Sequence, residues 1–285
     1  MKFKNFFALF CIYLAITSCS KDTVKKSIIN EKSLELQVRE AYLEGKKELE
    51  AGDVLFAAKK FNEAEILFPQ SEWAPKAALM AAYAYYSQDY YGNAIAELER
   101  FIRIYPKNKN IDYAYYLLGL SYYEQIVDEK KDLNSILKAK KTFEIINKKF
   151  PNTQYAIDAE FKIELVNDII ASKEMYIGRY YQSKKKWIAA INRFRVVVDD
   201  YSDTVYTEEA LHRLVEIYYT IGLKEEAKKY AQVLGYNYQS SLWYEKSYVV
   251  FNKGYKEMNR KKQKEKKNKE NNFIKKLKSL IDIDE

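Results

Sequence analysis

The sequence predicts an all-α protein arranged as a right-handed solenoid of five helix pairs, and two observations lead to that prediction. A short hinge motif, clearest as FPNTQYA at residues 150–156, recurs every few tens of residues between amphipathic runs. No alternating strand pattern accompanies it. Proline ends one helix, and serine or threonine can cap the next, so each copy suits a turn between helices. The copies lie at residues 68–74, 105–114, 150–156, 201–206 and 238–243.

The N-terminus has the pattern of a bacterial lipoprotein signal. Two lysines precede an apolar run at residues 6–16 that is too short to span a bilayer. Small residues then precede Cys19, which predicts cleavage after residue 18 and a lipid on Cys19; an ordinary secretory signal with an incidental cysteine is the alternative. The residue after Cys19 is Ser20 and not an aspartate. By the sorting rule for such lipoproteins, this favours the outer membrane over the inner membrane. We therefore expect a signal at 1–18, a tether at 19–34 and a lipid anchor on the periplasmic side of the outer membrane.

Small and aromatic residues recur at the spacing of the tetratricopeptide repeat. In the first unit, Ala57, Phe61, Ala64 and Pro69 fit the second-helix pattern A-x3-F-x2-A-x4-P. Later units keep much of this frame, with an insertion expected near residues 127–134 of the third unit. We expect units one to three at residues 35–151, units four and five at 152–244, and a basic C-terminal tail at 245–285.

A long uninterrupted helix is predicted between the third and fourth units. Residues 155–184 contain no proline, and Gly178 is their only glycine. They predict one helix of about 30 residues, roughly 45 Å long. The hinge at 150–153, directly before it, is expected to set the relative orientation of two binding surfaces.

The positive charge is concentrated in the tail. The formal net charge is +8, and residues 252–285 carry twelve Lys and Arg against six Asp and Glu, so the rest of the chain is nearly neutral. A broad nucleic-acid-binding face is therefore not expected. The tail is predicted as a solvated helix or a disordered segment. Its end could pack on a partner or an anionic surface, because its apolar residues have helical spacing, or it could be frayed. These residues are Phe273, Leu277, Leu280 and Ile281.

The sequence favours a protein without catalytic activity, cofactor or metal. It has one histidine, both cysteines lie within the first twenty residues, and the common zinc, phosphate-loop and nucleophile motifs are absent. His212 falls on the groove-facing side of its helix in the repeat frame. We expect it to be a surface contact residue and not a metal ligand, since no second ligand accompanies it.

Three segments resemble the BamD family of outer-membrane assembly lipoproteins. They are residues 99–113, 150–159 and 178–194. The resemblance covers about residues 35–244 and implies a five-repeat scaffold at the periplasmic face of the outer membrane, where it binds the barrel protein BamA. The chain departs from the family where Ser202 and Gln239 replace hinge prolines. Another periplasmic repeat adaptor, organising envelope or division factors, is the alternative function.

The resemblance implies a BamA contact at Asn192 and Arg193. An Arg side chain can bind a carboxylate through two donors, which suits this role. An internal salt bridge between units is the alternative for Arg193.

A second surface is expected on the first helices of units one to three. Aromatic walls with scattered cations suit an extended peptide with apolar side chains and a terminal carboxylate, such as the C-terminal strand of an unfolded outer-membrane barrel protein. The same aromatic residues could instead pack inward. The predicted groove residues are Arg39, Tyr42, Lys46, Lys76, Leu79, Tyr83, Tyr86, Tyr113, Tyr116, Leu120 and Tyr123.

Overall fold

A computed structural model describes residues 33–126, 133–252, 264–265 and 267–275. The predicted signal peptide, the predicted lipid attachment site at Cys19 and most of the expected tether lie outside these residues. So do the greater part of the expected insertion near 127–134 and the tail positions Leu277, Leu280 and Ile281.

Between residues 33 and 252 the described chain is a row of antiparallel helix pairs. The first three pairs are α1 (Leu34–Ala51) with α2 (Val54–Leu67), α3 (Trp73–Tyr86) with α4 (Tyr91–Ile104), and α5 (Ile111–Glu124) with α6 (Asn134–Lys149). The others are α7 (Gln154–Ser183) with α8 (Trp187–Asp200) and α9 (Thr207–Thr220) with α10 (Lys224–Asn237); α11 (Leu242–Phe251) follows. The predicted all-α array of five tetratricopeptide-type pairs is confirmed.

Three of the five pairs are closed by a glycine on the first helix that faces a phenylalanine on the second. Gly45 lies against Phe61, Gly119 against Phe143 and Gly178 against Phe194, and all three phenylalanine side chains are fully buried. Because glycine has no Cβ, the two helix axes can approach closely at these points. The small–aromatic spacing that suggested the repeat therefore corresponds to direct contacts.

Helix α7 is the predicted long helix, and it contains 30 residues. Its first turn is capped by Thr153, whose Oγ1 accepts a hydrogen bond from the backbone N–H of Ala156 at 3.3 Å. Ala159 joins the core shared with units two and three, whereas Met175 joins the core of units four and five. Val166 and Ile170 form a third cluster with Ile136, so one continuous helix contributes to three hydrophobic clusters. The division of function at residue 151 stays a prediction.

An ion pair with a buried carboxylate joins the second helix of unit one to the second helix of unit two. The Nη1 and Nη2 atoms of Arg100 donate to the two carboxylate oxygens of Glu65 at 2.8 and 2.6 Å. Tyr105 donates to the same carboxylate at 2.8 Å, and Glu97 accepts from Arg100 Nε at 2.9 Å. Glu65 is buried but fully engaged, as a buried carboxylate requires.

The expectation that His212 lies at the surface was wrong. Its side chain is buried, because α11 packs across α9 and covers it. His212 Nδ1 lies 2.8 Å from Ser247 Oγ, and its ring lies 5.3 Å from that of Trp243. The repeat frame could not show this, because α11 is a single helix added after the last pair.

Candidate functional site

A concavity of the described array lies on the first helices of units one to three and reaches α7. Its volume is about 530 Å³, and α1, α3, α5, α7 and the turn before α5 line it. The lining residues are Tyr42, Lys76, Leu79, Met80, Tyr83, Asn110, Tyr113 and Tyr155. Five of these eight were predicted from the sequence. We refer to this concavity as the aromatic pocket.

Aromatic contacts hold one wall of the pocket in place. The ring of Tyr42 lies 5.4 Å from Phe61 and 5.1 Å from Trp73, measured between centroids. Lys76 Nζ lies 5.0 Å from the Trp73 ring, a distance suited to a cation–π interaction. Lys76 therefore brings a positive charge to the pocket while Leu79 and Met80 supply apolar surface.

The opposite wall is a cluster of tyrosines. Tyr155 lies 5.6 Å from Tyr113 and 5.0 Å from Tyr116 between ring centroids. Tyr116 donates a hydrogen bond to Asp158 Oδ2 at 2.6 Å. Burial raises the pKa of Tyr113 to about 12, so its hydroxyl stays protonated at neutral pH and can donate a hydrogen bond.

Several predicted groove residues lie outside the pocket lining. Arg39 is exposed on α1, and Lys46 pairs with Glu50 at 3.7 Å on the same helix. Tyr86 packs against Tyr91, Tyr123 lies beneath Lys162, and Leu120 packs against the core. Tyr116 supports Tyr155 and does not line the pocket itself.

Met80, Asn110 and Tyr155 line the pocket but were not predicted to do so. Tyr155 belongs to the hinge motif and to the start of the predicted long helix, and Asn110 precedes α5. Neither residue was therefore placed on the first helices of units one to three, where the groove was expected. Met80 follows Leu79 directly, and the repeat frame assigned only one of these neighbours to the inner surface. A signal was available for Tyr155, because it begins the long helix that follows unit three.

The second predicted site contains an internal ion pair. Arg193 Nη1 donates to both carboxylate oxygens of Glu174, at 3.1 and 3.0 Å, and this joins α8 to α7. Glu174 is buried, whereas the Arg193 side chain is 42% exposed. The neighbouring Asn192 is exposed. The salt bridge lies within unit four and not between units, as the alternative had expected, so Arg193 has a structural role inside its own helix pair.

Neither a membrane-spanning helix nor a metal site occurs in the part of the chain that the structure describes. No described helix combines the length and apolar character needed to cross a bilayer. Within the same residues, no group of three or more His, Cys, Asp or Glu could hold a metal ion.

Paired helices closed by glycine–phenylalanine contacts, with a concave aromatic surface on their first helices, define a tetratricopeptide-type repeat protein. The family model described as "YfiO: Outer membrane lipoprotein" matches residues 34–234. The chain belongs to this family of outer membrane lipoproteins.

Curated relatives agree with this assignment and with the resemblance seen in the sequence. Outer membrane protein assembly factor BamD of Rickettsia prowazekii is 49% identical, over 67% of this chain and 76% of that protein. The Caulobacter vibrioides BamD is 40% identical, over 84% of this chain and 77% of its own length. The BamD of Neisseria meningitidis serogroup A is 32% identical, over 80% of this chain and 89% of that protein. Among solved structures, that of MamA aligns with 74% of this chain at 20% identity and a TM-score of 0.33.

Proposed function

We propose that this protein is an outer membrane protein assembly factor that acts as a non-catalytic, lipid-anchored scaffold at the periplasmic face of the outer membrane. The similarity to BamD proteins over most of the chain supports the assembly role. The aromatic pocket is the structural observation that carries the proposal, because a scaffold needs a surface that receives its client.

The proposed client is the C-terminal segment of an unfolded outer-membrane barrel protein. Such a segment has alternating apolar side chains, often an aromatic last residue, and a free carboxylate. Tyr42, Tyr83 and Tyr113 can contact aromatic and apolar side chains, while Lys76 can attract the carboxylate. The pocket volume of about 530 Å³ accommodates one or two side chains and not a whole strand.

The proposed partner on the other half of the array is the periplasmic domain of BamA. Arg193 binds Glu174 through Nη1 only, and its side chain is 42% exposed, so a carboxylate of a partner could still reach the guanidinium group. Asn192 would add a polar contact beside it. On this proposal the long helix α7 carries Glu174 of the partner site and Tyr155 of the aromatic pocket.

Co-purification from membranes tests the proposed function. The protein is extracted in mild detergent with an affinity tag, and BamA is detected in the eluate. A stable complex with BamA is the expected result. Recovery of division or envelope factors without BamA would contradict the proposal and favour the alternative adaptor.

A further inference from the structure

The first half of α7 exposes a face that is both apolar and acidic. Ile157, Phe161 and Leu165 are 63%, 61% and 47% exposed, and their four-residue spacing places them in one row. Glu160, Glu164 and Asp168 share this side of the helix by the same spacing. The only Lys between residues 157 and 168, Lys162, lies instead over the ring of Tyr123 at 5.1 Å.

This face continues into a cavity lined by carboxylates. The cavity has a volume of about 320 Å³. Glu164 and Asp168 of α7 line it together with Asp200, the last residue of α8, and Asp203 of the turn that follows. Val205, 77% exposed, forms part of the rim. Among the described residues, these four carboxylates and Glu160 make no salt bridge. We call the surface formed by residues 157–168, 200, 203 and 205 the acidic face.

The C-terminal tail has the complementary chemistry. Its described residues, 264–265 and 267–275, are helical, and every one of them is exposed. Phe273, Leu277 and Ile281 repeat the four-residue spacing of Ile157, Phe161 and Leu165. The lysines among and around them are Lys269, Lys275, Lys276 and Lys278. A basic amphipathic segment therefore follows an array that carries an acidic apolar face.

We propose that residues 269–281 of the tail bind the acidic face of α7 within the same molecule, as an amphipathic helix. The apolar row of the tail would cover Ile157, Phe161 and Leu165, and its lysines would pair with the flanking carboxylates. Such a contact removes apolar surface from water and brings opposite charges together.

The connecting chain is long enough for this contact. Helix α11 packs on α9 and α10, and residues 253–268 lie between it and the proposed segment. Residues 253–263 extend at most about 37 Å, and the helical rise from residue 264 to residue 268 adds about 8 Å. The connection therefore spans about 45 Å, which is roughly the length of the whole of α7. Neighbouring helix axes are about 10 Å apart, so the face lies within reach.

Reciprocal charge reversal in the full-length protein tests the proposal. Amide hydrogen exchange of residues 269–281 is measured in the native chain, in Glu160→Lys/Glu164→Lys, in Lys276→Glu/Lys278→Glu, and in the variant carrying all four changes. Each double variant should exchange roughly fivefold faster in this segment, because exposed ion pairs contribute up to about 1 kcal/mol. The variant that carries all four substitutions should recover the native rate, since the tail and the face of α7 again have opposite charges.

A matched control is Glu35→Lys/Glu72→Lys, which changes the net charge equally at exposed positions on units one and two. It should leave the tail at the native rate. Equal exchange in all variants would overturn the proposal. Protection that weakens on dilution would show binding between copies, and protection seen only with phosphatidylglycerol vesicles would show a membrane contact; either would refute binding within one molecule.

Discussion

A Cβ atom built on Gly178 would lie 2.6 Å from Cε1 of Phe194, closer than real Cβ contacts. The same relation holds between Gly119 and Phe143, also at 2.6 Å, and between Gly45 and Phe61 at 2.9 Å. Each phenylalanine is fully buried, so it has little room to move away. The glycines are therefore required by close helix contact and not by backbone conformation.

Gly178→Ala should destabilise the protein, by up to about 2 kcal/mol. Alanine favours a helix over glycine by about 1 kcal/mol, but overpacking against Phe194 costs about 1–3 kcal/mol and outweighs that gain. Urea unfolding followed by circular dichroism measures the difference. Gly92→Ala is the matched control, because nothing lies within 4 Å of its Cβ position in α4. It should be neutral or stabilising; a similar loss in both variants would contradict the packing argument.

Arg100→Ala should cost about 2–3 kcal/mol of stability, because it leaves the buried Glu65 carboxylate without its cation. The free energy of unfolding in urea is the appropriate measurement. Arg195→Ala breaks an exposed pair with Asp199 and should leave the free energy of unfolding nearly unchanged. Comparable losses of unfolding free energy in the two variants would show that the burial of Glu65 does not add to the cost of removing its cation.

The ion pairs of Glu216 with His212 and Arg213 on α9 should weaken in acid. Burial by itself raises the pKa of Glu216, but hydrogen bonds and charge attraction from His212 and Arg213 outweigh it and lower the pKa to about 2. The folded-state pKa lies below the unfolded value of 4.5. The stabilisation is therefore present above pH 4.5 and is lost as the pH falls toward 2.

Thermal unfolding at a series of pH values checks this dependence. Glu216→Gln should lower stability at neutral pH and should flatten the acid-induced loss, because the titrating group is gone. Glu245→Gln, at an exposed position on α11, serves as the control and should keep the native pH profile. An unchanged acid profile in Glu216→Gln would show that other carboxylates account for it.

Peptide binding should depend on the pocket lining and not on the wider groove. A peptide copying the C-terminal strand of a barrel protein should bind the native chain, and Lys76→Ala/Tyr83→Ala should weaken it roughly tenfold. Fluorescence anisotropy gives the dissociation constants. Lys46→Ala is the matched control, since Lys46 lies outside the pocket and pairs with Glu50. Binding of a scrambled peptide with equal affinity would argue against a recognition site.

Arg193→Glu should abolish co-purification with BamA while the helical circular dichroism signal persists. The substitution also places two carboxylates side by side, because Glu174 is buried next to Arg193. Glu174→Gln separates the two effects, since it removes the internal ion pair but keeps the guanidinium. BamA binding should survive in Glu174→Gln; loss of binding there would assign Arg193 a purely internal role.

The sequence determined the repeat, its period and its helices. The glycine–phenylalanine spacing, the hinge at 150–156 and the proline-free stretch after it each correspond to observed contacts or helix ends, because they encode interactions between neighbours in the chain. Five predicted residues line the aromatic pocket, because the repeat frame fixes which helix face points inward. They are Tyr42, Lys76, Leu79, Tyr83 and Tyr113.

Only the tertiary structure decided which distant side chains meet. Three contacts depend on the angles between helices. Arg193 pairs with Glu174, Tyr155 lines the aromatic pocket, and His212 is buried under α11. Spacing along one helix specifies a face but not the residue that another helix brings against it. The tertiary structure therefore fixed the partners of residues whose helices the sequence had already defined.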